Sequence, residues 1–292
     1  MMANNKEKTM KIPYIAGEWN VLFKPEEYGN YINDHSVVKG TDGKWHLFGI
    51  TSFGGGPGKE RYFSHGVGEN LSSPMEERGK AIDRGGLAWA PCVIRKGDNF
   101  YMFYGPSPTQ LSVSFDMCEW FNYPVVIKGE PPMAAHRDHF VLKISKNKYL
   151  MYVVGVFEKK GAISVFSSRN LLKWKFEGFA LRSGEAAPLN PSWGAMESPF
   201  VVEKDGLYYL FVTYTDCSKE NYNDTLVFVS KNPKNFGIYN GEKDGAKPVT
   251  KLRAHAPEIL KENGEYYITT CGWRDQDIPH QGAVSIARLE WR

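Results

Sequence analysis

A side chain capable of chemistry stands just before each of five similar stretches of the sequence, and three of the five are carboxylic acids. In chain order they are Asp34, Trp89, Asp138, Glu197 and His255. Three acids brought together repel one another unless a proton or a ligand relieves the charge. A single Asp at such a position often caps a turn, but three acids in matching positions favour one shared functional site.

The stretches that follow these residues share the pattern of a β-hairpin. In the fourth copy, Ser198-Pro199 leads into an apolar run, Asp205-Gly206 makes a turn, and the aromatic run Tyr208-Tyr209-Leu210-Phe211 returns. The pattern recurs roughly every 55 residues, a period typical of propeller blades of four short strands. In the alignment of the copies, Pro199 matches Ser36, Pro91, Phe140 and Pro257.

The repeat predicts an all-β fold, a five-bladed β-propeller, as a single domain over residues 1–292 with blades starting near residues 34, 89, 138, 197 and 255. Residues 1–29 would form a segment that opens or closes the ring. A second motif, Ser-x-Asp/Asn-x-x-x-aromatic, predicts a polar turn covered by an aromatic ring after the third strand of a blade. A two-sheet sandwich is the alternative fold, but its strands need no common period.

Composition excludes several classes of function. The chain is 42% hydrophobic and 14% aromatic, and its net charge of +3 comes from interspersed residues without a basic tract. We therefore expect neither a nucleic-acid partner nor a charged face, and no apolar run approaches the ~18 residues of a membrane helix. No signal peptide is visible, which predicts a cytoplasmic protein, or a periplasmic or secreted one if a signal segment was removed. Four cysteines without a C-x-x-C pair predict buried free thiols: Cys92, Cys118, Cys217 and Cys271.

In a propeller, the starts of the innermost strands meet at one end of the central channel. The three acids would then share a funnel with Trp89 and His255. Hydrolysis of a glycosidic bond needs one protonated carboxyl for the leaving oxygen and one ionised carboxylate for water or for carbon. A third acid can tune the pKa of the proton donor. Trp89 could form a wall against which a sugar ring packs, or it could fill the propeller core.

The order Asp, Trp-Ala-Pro, Asp, Glu-Ser-Pro, His resembles glycoside hydrolase family 43 and its furanosidase relatives, from about Asn30 onward. The resemblance implies that Asp34 is the general base, Asp138 the pKa modulator and Glu197 the general acid. It also implies that His255 lies near a possible calcium ion in the channel, although no cofactor is required for the reaction.

Two features depart from the family pattern. His35 and His139 follow the first two acids where the family usually has proline, and they could contact substrate or tune the acids. Arg253 could bind an anionic sugar or pair with Glu258. The residues predicted to bind substrate are therefore His35, Trp89, His139, Trp193, Arg253 and His255.

The expected function is hydrolysis of an arabinofuranoside, xyloside or galactoside in an oligosaccharide or polysaccharide. Inversion predicts that the Asp34 and Glu197 carboxyls lie ~6.5–9.5 Å apart, whereas ~5 Å would indicate a retaining, fructosidase-type reaction with Asp34 as nucleophile. A glycan-binding propeller without catalysis and a lactonase built around a metal remain alternatives. The loops at 53–63, 185–196 and 216–224 would choose the sugar, with Trp193 as its platform. The oligomeric state stays open.

Overall fold

Five sheets, antiparallel except for two short strands at the edge of the third, account for nearly all the regular structure in the described residues. The computed structural model describes residues 9–27, 30–52, 57–83, 85–187, 190–216, 218–241 and 243–292. Within these ranges the only helix is a 3-10 turn at Pro57–Lys59. The first strand, β1 (Pro13–Phe23), belongs to the last sheet. The predicted five-bladed, all-β propeller is confirmed.

The first two blades each contain four strands in chain order from the channel outward. The first blade consists of β2 (His35–Lys39), β3 (Trp45–Thr51), β4 (Tyr62–Gly68) and β5 (Glu76–Asp83). The second consists of β6 (Trp89–Lys96), β7 (Asn99–Gly105), β8 (Gln110–Ser114) and β9 (Phe121–Asn122).

The third blade is the largest because connecting segments on both sides add short parallel strands to its outer edge. The added strands, β10 (Val126–Lys128) and β18 (Gly237–Tyr239), both pair with the outermost strand of the blade, β14. The blade itself consists of β11 (Ala134–Ser145), β12 (Lys148–Phe157), β13 (Lys160–Ser168) and β14 (Lys173–Ser183).

The last two blades finish the ring, and the N-terminal strand completes the fifth. The fourth consists of β15 (Met196–Lys204), β16 (Leu207–Tyr214), β17 (Asp224–Ser230) and β19 (Thr250–Arg253). The fifth consists of β20 (Ile259–Glu262), β21 (Glu265–Thr270), β22 (Val284–Trp291) and β1. Because β1 pairs with β22, the two ends of the chain meet in one sheet.

Five hydrophobic clusters lie between neighbouring blades, one at each interface. Phe48 and Phe100 share the cluster between the first and second blades, and Phe103 and Trp174 share the next. Corresponding clusters join the third to the fourth, the fourth to the fifth, and the fifth to the first. The apolar and aromatic strand residues are therefore used mainly to pack sheet against sheet.

Backbone angles and hydrogen bonds at the turns explain both motifs predicted from the sequence, the β-hairpin and the polar turn covered by an aromatic ring. Asp205 and Gly206 have φ of 53° and 77°, the left-handed values that a tight hairpin turn requires. In the polar turns, Ser168 Oγ accepts a hydrogen bond from Leu171 N at 3.0 Å, and the Trp174 indole donates to Leu171 O at 3.0 Å. The Ser114 turn repeats both contacts, so the covering aromatic ring is confirmed there as well.

The inner strands of the second, third and fourth blades each begin with a β-bulge. Across each bulge, the inner strand advances three residues while the adjacent strand advances two, and this bends the chain into the channel. The register is fixed by the pairs Trp89–Gly105 and Cys92–Phe103, Arg137–Val154 and Phe140–Tyr152, and Glu197–Thr213 and Phe200–Phe211. Trp89, Arg137 and Glu197 are therefore equivalent.

Hydrogen bonds between neighbouring blades extend this register to the other two. Val141 N donates to Cys92 Sγ, Val93 N donates to Ser36 Oγ, and Val37 N donates to Glu258 Oε2. Ser36, Cys92, Phe140, Phe200 and Glu258 thus lie at one level. The residues three positions earlier in the chain form an outer level: Asn33, Trp89, Arg137, Glu197 and His255. The residues two positions earlier form a second level: Asp34, Ala90, Asp138, Ser198 and Ala256.

The single column of five residues expected from the sequence is therefore corrected. Asp34 and Asp138 lie one residue deeper in the channel than Trp89, Glu197 and His255. The proline level explains the error, because Pro91, Pro199 and Pro257 align with His35 and His139, and the sequence alignment matched those prolines with Ser36 and Phe140 instead.

Candidate active site

The mouth of the channel holds a cavity surrounded by acids and aromatic rings. Its lining includes the carboxyl groups of Asp34, Glu60, Asp138 and Glu197, together with Trp89, Trp193, Tyr222 and Trp273. The free volume is only about 30 Å³, close to the space of a single water molecule. A sugar ring needs more space than this, and three partly exposed indoles border the cavity: Trp89, Trp193 and Trp273.

Glu197 is surrounded by hydrogen-bond donors. The Trp193 indole donates to Oε1, and the Arg137 guanidinium lies 3.7 Å from the same oxygen. His255 Nε2 lies 3.4 Å from Oε2. Because His255 Nδ1 is 2.9 Å from the Cys271 carbonyl and donates to it, a second proton on this ring must sit on Nε2, facing Glu197.

These neighbours set the charges of Glu197 and His255. Burial alone would raise the pKa of Glu197, but the hydrogen bond from His255 and the positive charge of Arg137 outweigh it and lower the pKa to about 2. Burial would lower the pKa of His255, yet its bond to Glu197 and the charge of Asp34 raise it. Both shifts favour the charged forms, an imidazolium beside a carboxylate.

Ser198 connects the two deeper acids. Its hydroxyl donates to Asp34 Oδ1 at 2.6 Å, and its backbone N–H donates to Asp138 Oδ2 at 3.0 Å. Both bonds depend on the bulge, since Ser198 has a φ of 48°. In the sequence, Ser198-Pro199 stood out only as the lead into an apolar run.

Asp34 and Asp138 have raised pKa values because burial disfavours their charged forms. For Asp34, the charge of His255 and the Ser198 hydroxyl oppose this rise. For Asp138, burial together with the charges of Asp34 and Glu197 outweighs Arg137 and raises the pKa to about 7. As the pH falls, the carboxyl groups of the second level therefore take up a proton before Glu197 does.

Arg137 is a site residue that the sequence did not reveal. Its guanidinium donates to the carbonyl oxygens of Ala135, Trp193 and Met196, and its Nε lies 3.5 Å from Asp138 Oδ2. It also lies 3.9 Å from the centre of the Trp193 ring. With so many contacts inside the protein, Arg137 holds the Trp193 loop and the two acids in place.

The aromatic side chains form two walls. Trp89 and Trp193 meet edge to face, with ring centroids 6.1 Å apart. In the second, Tyr222 stacks on His255 at 3.9 Å and on Trp273 at 5.2 Å. Trp89 and Trp193 were expected in the funnel, but Tyr222 and Trp273 come from loops that carry no repeated pattern.

Glu60 is a fourth buried acid of the funnel, and it too was absent from the expected site. The Tyr31 hydroxyl donates to its Oε1 at 2.7 Å. Burial raises the pKa of Glu60 to about 7 even though the bond from Tyr31 opposes the rise. Glu60 follows the 3-10 turn at Pro57–Lys59, in a loop whose residues 53–56 lie outside the described part of the chain.

His35 and His139 do not line the funnel. They lie at the proline level and border a separate small cavity beneath the acids, together with Glu258. His35 Nε2 is 2.7 Å from Thr269 Oγ1, and His139 Nε2 is 2.8 Å from Thr109 Oγ1. Burial lowers the pKa of each imidazole to about 3, so both are neutral. Because His35 and His139 lie beneath the acids, they are not placed to contact a substrate in the funnel as expected.

Arg253 also lies away from the funnel. Its guanidinium pairs with Asp224 at 2.7 Å and with Asp277 at 3.1 Å on the surface. Glu258, the partner considered from sequence, is buried in the channel and accepts a hydrogen bond from Val37 N at 2.6 Å. An anionic sugar in the funnel therefore gains no contact from Arg253.

The residues around His255 do not fit the calcium ion that the resemblance implies. Both nitrogens of its ring already face protein oxygens, and calcium prefers six to eight oxygen ligands. Among the described residues, no group of three or more His, Cys, Asp or Glu side chains has the arrangement of a metal site. No chemical step below uses a metal.

Three other expectations can be compared with the structure. Six basic residues from separate segments meet in a groove of about 930 Å³ at the opposite end of the blades, so a charged face exists after all: Lys96, Lys146, Lys148, Arg169, Lys173 and Lys234. Cys92 and Cys271 are buried free thiols as expected, but Cys118 is exposed, and Cys217 lies outside the described residues. No helix in the described ranges is long and apolar enough to cross a membrane.

Comparison with known proteins reveals similarity in structure but not in sequence. No protein-family model and no curated protein matches the chain. A thermostable family-43 glycoside hydrolase matches with 19% identity and a TM-score of 0.66, covering 92% of each chain. An exo-1,5-α-L-arabinanase from a bovine ruminal metagenomic library matches with 17% identity and a TM-score of 0.61, covering 90% of this chain and 93% of the other.

A third similar structure is the Bombyx mori family-32 β-fructofuranosidase, with 17% identity and a TM-score of 0.61. The match covers 97% of this chain but 63% of that enzyme. The chain therefore has the five-bladed propeller fold found in glycoside hydrolases of families 43 and 32.

Proposed function

We propose that this protein is a glycosidase that hydrolyses a neutral sugar from an oligosaccharide or polysaccharide, with inversion at the anomeric carbon. The observation that carries the proposal is the pairing of Glu197 with a proton-bearing His255 at the mouth of the channel. Asp34, held by Ser198, lies one level below in the same cavity. The likeness in fold to glycoside hydrolases supports the same class of reaction.

Glu197 is the general acid in this proposal, and His255 holds its proton. Transfer of the Nε2 proton to Oε2 across 3.4 Å converts the ion pair into a neutral imidazole and a protonated carboxyl. Glu197 then gives this proton to the leaving oxygen as the bond to the anomeric carbon breaks. A low pKa of Glu197 is thus compatible with its role, because His255 holds a proton one hydrogen bond away.

Asp34 is the general base. The Ser198 hydroxyl occupies Oδ1, so Oδ2 is the oxygen available to a water molecule. Asp34 takes a proton from this water as its oxygen attacks the anomeric carbon from the face opposite the leaving group. Asp138 acts on the other two acids through its charge and its bond to Ser198, which makes it a positioning and tuning residue.

The charges of the funnel favour a neutral sugar. Four carboxyl groups line it, and the guanidinium of Arg137 is engaged with backbone oxygens and acids of the protein. A uronic acid or a sugar phosphate would bring a further negative charge into this low-dielectric site. Arabinofuranosides, xylosides and galactosides meet the requirement. A family-43 enzyme from Xanthomonas citri complexed with xylotriose is among the similar structures.

A retaining reaction is the second candidate, because a family-32 β-fructofuranosidase is also similar in fold. In that case Asp34 would attack the anomeric carbon directly, and the carboxyls would lie closer together than inversion requires.

A screen of nitrophenyl glycosides, with the anomer of the first product followed by NMR, tests the proposal. We expect hydrolysis of at least one neutral pentoside or galactoside and an initial product of the opposite anomeric configuration. An initial product of unchanged configuration would favour the retaining reaction. Absence of hydrolysis across aryl glycosides and neutral plant oligosaccharides would contradict the proposal.

A further inference from the structure

A second groove opens on the same face as the funnel, at the outer side of the third blade. The face is fixed by strand direction, because β12 ends and β13 begins at the end of the blade where β11 enters the channel. The groove has a volume of about 500 Å³, within the range of roughly 300–1,000 Å³ for ligand sites. Unlike the funnel, it has room for a sugar ring as it stands.

The groove and the funnel share one wall. We call residues 184–187 and 190–195 the Trp193 loop. Gly184 and Glu185, at its beginning, line the groove, whereas Trp193, near its end, lines the funnel. A ligand chain that leaves the funnel across Trp193 and continues over this loop would arrive at the groove.

Several contacts hold the described residues of the loop against the third blade. Asn190 N donates to Lys159 O at 2.9 Å, and Lys160 Nζ donates to Gly184 O at 2.8 Å. Gly161 packs so closely on Gly194 that a Cβ at Gly161 would clash with the Gly194 carbonyl. The same backbone that shapes the groove thus positions Trp193.

The lining of the groove combines an aromatic ring with polar groups. Phe157 lies beside Arg182, whose guanidinium is 5.7 Å from the ring centre. Glu158 and Asp244 offer carboxylate oxygens at the rim, and the Asn240 amide donates to Asp244 at 3.1 Å. A ring for stacking and acceptors for hydroxyl groups suit a sugar, and acids balanced by bases suit a neutral one.

We propose that this groove is a second glycan-binding site, which holds a neutral oligosaccharide chain several units away from the bond cleaved in the funnel. The inference rests on the proposed glycosidase activity and extends it from a single sugar to a chain. The groove makes no contact with the reacting bond, so it should act on long substrates and leave short ones unaffected.

The test compares Phe157→Ala and Asp244→Ala with the parent and with Arg169→Ala, a control on the opposite face. The substrates are the nitrophenyl glycoside that the parent cleaves and oligosaccharides of the same sugar with increasing length. We expect unchanged kcat/KM on the nitrophenyl glycoside. For the longest oligosaccharide we expect a loss of about tenfold with Phe157→Ala, the size of one lost aromatic contact. Unaltered melting temperatures would exclude a folding defect.

A parent-like dependence on chain length in both variants would overturn the groove while leaving the activity in place. If the parent cleaves no glycoside, affinity electrophoresis in arabinan, xylan and galactan gels still tests the groove. Retardation of the parent that Phe157→Ala reduces and Arg169→Ala does not would support it, and equal migration of all three proteins would overturn it.

Discussion

Glu197 and Asp138 are carboxyl groups in one channel, one residue level apart, yet their pKa values shift in opposite directions. Glu197 meets an indole, a guanidinium and an imidazole, and its pKa falls to about 2. Asp138 is equally buried but receives one backbone N–H, with Arg137 at 3.5 Å, and its pKa rises to about 7. The number of donors that reach each carboxyl, rather than its depth, decides which acid is ionised.

The two levels therefore have different roles in the proposed reaction. In the outer level, Glu197 and His255 supply the proton that the leaving group receives. The second level holds the base, Asp34, and a neighbour that is close to neutral. One bulge residue, Ser198, ties the levels together, because it follows Glu197 in the chain and bonds to both deeper acids.

The first prediction compares the two acids of the second level. Asp34→Asn removes the base and should lower kcat by about 10³-fold, within the usual range for general base catalysis. Asp138→Asn should lower it only about tenfold, because a carboxyl with a pKa of about 7 is already protonated in about half of the molecules near neutral pH, and an amide resembles that form. The measurement is kcat on one aryl glycoside for both variants. Equal losses would show that Asp138 must be ionised and would break the comparison.

The second prediction concerns the partner of Glu197. His255→Gln keeps a donor beside Oε2 but cannot carry the extra proton. Because the parent pair retains this proton up to the raised pKa of His255, its loss should move the basic limb of the kcat profile to lower pH. At neutral pH we expect a loss of about 100-fold. An unshifted basic limb would show that His255 does not hold the proton of the acid.

The third prediction uses Glu258, a channel acid whose pKa is raised to about 8 by burial. Its folded pKa lies above the unfolded value of 4.5, so the folded state loses stability as pH rises from about 4.5 to 8. Glu258→Gln should therefore melt above the parent at pH 9, by several °C, and the gain should shrink toward pH 5. Melting curves across this range check it, and a gain independent of pH would contradict it.

The sequence predicted the blades well because each hairpin carries its own local signals. Asp205-Gly206 and Asn263-Gly264 supply the left-handed turn residues, and aromatic runs mark the returning strands. The level of each site residue was harder to predict. His35 and His139 stand where the second, fourth and fifth blades have proline, so the first and third copies lacked a marker. Asp34 and Asp138 were therefore placed at the level of Asn33 and Arg137.

The remaining site residues could not be predicted from the sequence for another reason. Glu60, Tyr222 and Trp273 come from loops that differ from blade to blade, so no repeat predicts them. Trp193 was the exception, because a lone Trp in a loop before Glu197 suggested a platform. The structure places its indole on the acid itself. Contacts that bring distant loops together decide these positions, and a linear pattern does not contain them.

The most direct measurement is the effect of Glu197→Gln on two aryl glycosides of the sugar that the parent cleaves. A nitrophenolate leaves less readily than a dinitrophenolate, which needs almost no protonation. If Glu197 is the general acid, the variant should lose about 10³-fold in kcat/KM on the nitrophenyl glycoside and retain most activity on the dinitrophenyl glycoside. Equal losses on both substrates would contradict the assignment of Glu197 as the acid.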